Sequence, residues 1–148
     1  MAVPAEIFEA VILQHHKHPV HEVEEIGSCG CGQQITNPLC GDEVTIIIPK
    51  DQPAHQTLDS LQFIGNGCAI SRASASILTN ELQGKSPEQA LAQIDQFLTS
   101  LQSADEPTSD EITDLNTLLS VKRFPARTEC AAIAWRAARQ LLTPLTQN

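Results

Sequence analysis

The chain has 148 residues, about one ordinary domain, long enough to bury its own core without disulfide staples. Hydrophobic residues at 41% and charged residues at 18% argue against a disordered chain. A net charge of −9 with no basic stripe argues against nucleic acid or anionic membrane as partner.

The first element is a helix over residues 5–17, where Ile7, Phe8, Val11 and Ile12 recur at helical spacing and Pro19 follows as the stop. From His18 to Cys40 the chain is polar and Gly-rich around GSCGCG, and reads as loop or short edge strand. DEVTIIIPK, residues 42–50, is a strand by its β-branched density. QTLDSLQFIGNG, residues 56–67, reads as a second strand, antiparallel to it through a KDQPAH hairpin, and a third comes from the stretch before Cys40.

At Cys68 the pattern turns helical, with Ile70, Ala73, Ile77 and Leu82 on one side and Gly84 as terminator. SPEQ, residues 86–89, is a capping box with Pro at the first helical position, and Leu91, Ile94, Leu98 and Leu101 supply that helix's buried face. Thr108 and Glu111 form a further box before a short helix holding Ile112, Leu115 and Leu118. An Ala-rich helix from about Thr128 to Leu142 ends before Pro144. With no repeat and no linker, residues 1–148 are expected to form a single α+β domain, helices packed on a small antiparallel sheet of about three strands. The longest β-branched run, VTIII, is too short to cross a bilayer and the N-terminus lacks a signal-like pattern, so a cytoplasmic location is expected.

Five cysteines without an export signal point to metal or sulfur chemistry rather than disulfides. Three stand at element ends: Cys40 on the turn into a strand, Cys68 at a helix N-terminus, Cys130 at the opening of the last helix. The free N–H groups and dipole at a helix start favour thiolate at Cys68, and Gly41 and Asp42 bring a tight turn and a carboxylate beside Cys40. Three sulfurs and one carboxylate suit Zn²⁺, but no CxxC knuckle marks the site, and position alone equally allows Cys40 and Cys68 as small buried hydrophobes. Arg127, three residues before Cys130, is either a charge-compensating cation or a solvated helix-start arginine, the latter being favoured on physical grounds. GNGCAI is not a dinucleotide loop, because Ile70 stands where the third glycine is needed and no βαβ pattern surrounds it. The histidines of QHHKHPVH, His15, His16, His18 and His21, read mainly as solvated imidazoles at a helix C-terminus, and Cys29 and Cys31 as loop cysteines.

Taken together, NPLCGD, GNGCAISRASASILTNELQGK and KRFPARTECAAIAWRA resemble the three signature segments of the NifU-like iron–sulfur cluster assembly family, and the likeness runs over nearly the whole chain. Glu129 before the last cysteine, an insertion of roughly twenty residues before KRFPAR and the absence of a Leu-Pro-Pro-Val-Lys segment make it most similar to the SufU-type branch. The resemblance implies Cys40, Asp42, Cys68 and Cys130 as metal ligands and Arg127 as an auxiliary residue. It implies zinc as cofactor, a SufS-type cysteine desulfurase and downstream iron–sulfur assembly proteins as partners, and Cys40 as acceptor of persulfide sulfur once a histidine of the desulfurase replaces it on the metal. Such a protein is a sulfurtransferase-type acceptor rather than a hydrolase or oxidoreductase. The alternatives are a scaffold holding iron or a transient [2Fe–2S] cluster on Cys40, Cys68 and Cys130, and a structural zinc module that only binds partners.

Overall fold

A computed structural model describes residues 4–24, 30–37, 41–49, 58, 61–103 and 113–146. Five helices run in chain order: α1 (Ala5–Lys17), α2 (Ala69–Leu82), α3 (Pro87–Gln102), α4 (Asp114–Leu118) and α5 (Pro125–Leu142), with 3-10 turns at Leu119–Arg123 and Thr143–Thr146. Between α1 and α2 lie β1 (Gly30–Asn37), β2 (Asp42–Pro49) and β3 (Gln62–Asn66), an antiparallel sheet in the order β1-β2-β3. The α+β class and the small antiparallel sheet are as the sequence indicates. β1 is an eight-residue strand inside the Gly-rich stretch, pairing Cys31 with Ile48 and Asn37 with Asp42.

β2 carries Val44, Ile46 and Ile48 on one side, all buried and part of the main core. Alternation along a strand sets Asp42 on that same side, so the first residue of β2 turns a carboxylate inward, and it is 1% exposed. Opposite this face lies α5, which packs against β1, β2, α2 and α3. Its buried residues, Cys130 to Trp135, Ala137, Ala138 and Leu142, leave little of its middle uncovered. The alanines among them explain how one helix meets so many neighbours, since a methyl side chain lets backbones approach closely.

α2 turns a polar stripe toward its neighbours, with Ser71, Ser74, Ser76 and Thr79 all fully buried. Buried hydroxyls need partners, and these have them. Ser74 Oγ donates to the Ala131 carbonyl (2.6 Å) and accepts from Trp135 Nε1–H (3.0 Å), which joins α2 to α5. Trp135 in turn stacks on Phe97 of α3, ring centroids 4.1 Å apart.

Several expectations are corrected in detail. The second strand is shorter than the twelve residues expected, since β3 is Gln62–Asn66 and Leu61 precedes it as a buried residue outside any strand. Backbone bonds explain Leu58: it pairs with Lys85 and Gly84 (2.8 Å each) in the α2–α3 turn, where Gly84 takes φ +82°. α5 begins at Pro125, three residues early, because Pro fits the first turn of a helix. α4 is capped by Thr113, whose Oγ1 accepts the Asn116 N–H (3.1 Å); the box at Thr108 and Glu111 and the KDQPAH connection lie outside the described residues. The capping box at Ser86 and Gln89 is present, both halves formed.

The His cluster is not a set of solvated imidazoles. Phe8, Ile12 and His15 share one buried stripe of α1, and His15 Nδ1 meets Ser76 Oγ while Nε2 meets Asp114 Oδ2, each at 2.7 Å. His15 thus ties α1 to α2 and α4. His21, at φ +67°, reaches Thr79 (3.3 Å), and His16 Nδ1 accepts from Arg72 (3.2 Å). Arg72 also grips Glu22 through both carboxylate oxygens, Nη2 to Oε1 at 2.8 Å, holding residues 21–23 beside β3, where Glu22 bridges Phe63. Of these four histidines His18 alone is exposed.

Ser74→Ala removes the acceptor for the Trp135 indole N–H and leaves it buried without a partner. It is expected to cost about 1–3 kcal/mol, read as a lower urea midpoint at unchanged m-value.

Candidate metal centre

Three donors named from the sequence converge at one end of the sheet. Asp42 opens β2, Cys68 caps α2 just past the end of β3, and Cys130 lies in the second turn of α5. One ligand atom from each, a carboxylate oxygen and two sulfurs, lies within 4.8 Å of the others. Among the described residues no histidine joins such a group.

Each donor is held for a local reason. Cys68 takes the extended backbone of an N-cap (φ −74°, ψ 167°), and its Sγ accepts the Ser71 N–H at 3.4 Å, doing for α2 what Ser or Asp does at most caps. Asp42 divides its oxygens: Oδ1 accepts the Cys68 N–H at 2.8 Å, and Oδ2 lies 3.4 Å from Cys68 Sγ. Cys130 is fully buried, Cys68 half-buried, and neither is in a disulfide. Of the three donors Cys68 is the one with partial exposure.

Gly41 precedes Asp42 at φ +69°, with open space where a Cβ would be. The left-handed backbone there is one that L side chains rarely adopt. Cys40 lies outside the described residues, separated from Asp42 in sequence by Gly41 alone. Cys29 lies outside them too, while Cys31 is part of β1.

Arg127 sits in the first turn of α5, exposed, its backbone N–H on the Phe124 carbonyl (2.8 Å). It lies one turn ahead of Cys130 on the same helix. Glu129, adjacent to Cys130 in sequence, points elsewhere. It accepts from Arg136 Nη2 at 3.1 Å, with a second, shorter contact from Nη1. The Arg136 hydrogen bond holds the Glu129 carboxyl below its ordinary value of 4.5, and the same bond raises Arg136.

With this geometry in view, the likeness to known proteins is informative. Residues 7–140 match the family described as the NifU-like N terminal domain. The chain belongs to that family. An iron–sulfur cluster assembly scaffold protein IscU from Streptococcus pyogenes serotype M1 is 34% identical over 136 residues, covering 92% of this chain and 82% of the relative. The zinc-dependent sulfurtransferase SufU of Bacillus subtilis is 31% identical over 131 residues, 88% and 86% of the two chains. A crystal structure of a hypothetical protein matches with a TM-score of 0.76 at 33% identity, covering 94% of this chain and 98% of that one. A structure from Fervidobacterium islandicum AW-1 shares the fold at 23% identity, with a TM-score of 0.72 and coverage of 95% and 100%. The family is thus one of iron–sulfur cluster assembly, and no helix among the described residues is long and apolar enough to cross a membrane.

The Glu129–Arg136 pair gives a signed pH dependence. Because the folded carboxyl titrates below its unfolded value, the pair's contribution is present above about pH 4.5 and is lost as pH falls through the folded pKa. Glu129→Gln is expected to lower stability slightly at pH 7, within the few tenths of a kcal/mol usual for exposed pairs, and the deficit to shrink in urea titrations as pH falls below 4.5 and through the folded carboxyl's titration.

Proposed function

We propose that this chain is a zinc-bound sulfur acceptor: it takes persulfide sulfur from a cysteine desulfurase on Cys40 and passes it on for iron–sulfur cluster assembly. The observation that carries the reading is the Asp42 carboxylate, anchored by Oδ1 to the Cys68 N–H with Oδ2 3.4 Å from Cys68 Sγ, in a group of one carboxylate oxygen and two sulfurs that lie within 4.8 Å of one another. A tetrahedral zinc site with Zn–S near 2.3 Å and Zn–O near 2.1 Å has ligand–ligand edges of roughly 3.6–3.8 Å. The 3.4 Å separation of Asp42 Oδ2 and Cys68 Sγ is close to such an edge, and the 4.8 Å limit on the whole group needs only a small contraction. The three described donors therefore fit the ion, and the reading takes Cys40 as the fourth ligand.

When bound, zinc would keep the sulfurs deprotonated at neutral pH. The chain's own residues divide the remaining work. Asp42, Cys68 and Cys130, on a strand and two helices, are the fixed donors; Cys40, on the far side of Gly41, is the one that leaves to react. Its thiolate attacks the terminal sulfur of the partner's cysteine persulfide, a new S–S bond forms on Cys40, and the partner's cysteine departs as thiolate. No external oxidant or reductant is required. Arg127 serves as an auxiliary cation at the rim.

The name of the Streptococcus relative favours a second reading, a scaffold holding a nascent [2Fe–2S] cluster on Cys40, Cys68 and Cys130. Metal analysis of the untagged, anaerobically purified protein separates the two, paired with a SufS-type desulfurase assay. Zinc near one equivalent with faster desulfurase turnover, abolished by Cys40→Ser, is the expected outcome; iron with visible absorbance and no stimulation assigns the scaffold instead. Asp42→Ala is expected to weaken zinc binding about 10-fold or more and to lower the melting temperature; unchanged values for both would remove Asp42 from the ligand set.

A further inference from the structure

Gly67 belongs to none of the roles above, yet it stands directly before the Cys68 cap. Its φ lies outside the left-handed region, so conformation does not call for glycine there. Space does. A Cβ on residue 67 would stand 2.7 Å from Asp42 Cγ and 2.9 Å from its Cβ, and nearer still to Oδ1. All three atoms belong to one short, buried side chain whose Oδ1 is already committed to the Cys68 N–H. An aspartate has too little reach to swing aside and keep that bond. Gly65, two residues earlier, is different: a Cβ there would meet Arg72 Cγ and the Phe63 ring at 3.2 Å, tight contacts that small shifts relieve.

We propose that Gly67 is a positioning residue for the centre: the room left by its missing side chain is where the Asp42 carboxylate lies, and this holds that carboxylate beside the Cys68 and Cys130 sulfurs. The inference rests on the reading of Asp42 as a ligand. It makes a demand that a general structural role does not, namely that the cost of a methyl at 67 depends on what stands at 42.

The test is a double-mutant cycle with Gly67→Ala, Asp42→Gly and the pair, in the full chain, glycine at 42 being needed because alanine keeps the Cβ that lies 2.9 Å from the new methyl. Zn²⁺ affinity is read by competition with a chromogenic chelator, and thermal unfolding is followed on the metal-free proteins. Gly67→Ala is expected to weaken zinc about 10-fold or more when Asp42 is present and by less than about 2-fold in the Asp42→Gly background, where no side-chain atom remains to meet the new methyl. Metal-free melting temperatures should follow the same pattern. Equal costs in both backgrounds, or none in the parent, would overturn the proposal. Should Gly67→Ala fail to fold, recovery of folding in the double variant supports it and failure of both overturns it. If the parent binds no zinc while the metal-free cycle still shows the coupling, the ligand reading falls and the steric link between 67 and 42 stands.

Discussion

The hydrogen bond from the Cys68 backbone to the Asp42 carboxylate is the contact on which the rest of this structure turns. It joins the start of a strand to the start of a helix, 26 residues apart in the chain, and it acts on both. For α2 it accepts one of the donors left unpaired at every helix N-terminus. For Asp42 it makes burial tolerable, because a carboxylate withdrawn from water must be compensated by hydrogen bonds or charge. The same bond also orients the second oxygen, so a fold-stabilising contact doubles as the alignment of a donor.

The third member arrives by a different route. Cys130 needs no cap or turn, because α5 is driven against the sheet and against α2 and α3 by its run of alanines around Ile133 and Trp135. The Ser74 hydroxyl sits between the Ala131 carbonyl and the Trp135 indole, which fixes how α5 lies along α2 within one turn of Cys130. A polar contact in an apolar interface is directional where dispersion is not. Two sulfurs on separate helices are thereby brought to one place before any ion is considered.

Much of this was legible in the residues, for identifiable reasons. The Cys68 cap follows from a Gly pair running into a helical pattern, whereas the inward side of β2 does not, since Ile46, Ile47 and Ile48 are all apolar and all buried. β2 was announced by its β-branched run and most helix ends by Pro, Gly and capping boxes, whereas the Gly-rich β1 reads equally as loop. His15 was missed although the signal was there: positions 8, 12 and 15 are a helical stripe, and a cluster of like residues drew attention from the one that belongs to it. Glu22 with Arg72 and Ser74 with Trp135 carry no local trace, since partners 50 and 61 residues apart meet only through the tertiary fold. The room beside Gly67 was equally silent, because a turn glycine and a steric glycine are written alike.

One feature of the sheet bears on how other proteins meet it. A strand at a margin offers unpaired backbone groups that a foreign chain can extend. Along β3 part of that offer is already taken: the Phe63 N–H goes to the His21 carbonyl (3.2 Å), the Phe63 carbonyl accepts the Val23 N–H (2.9 Å), and Arg72 clamps the segment through Glu22. A visitor arriving at this border meets charged side chains where an open ladder would have been, so recognition here falls to surface chemistry rather than to β-augmentation.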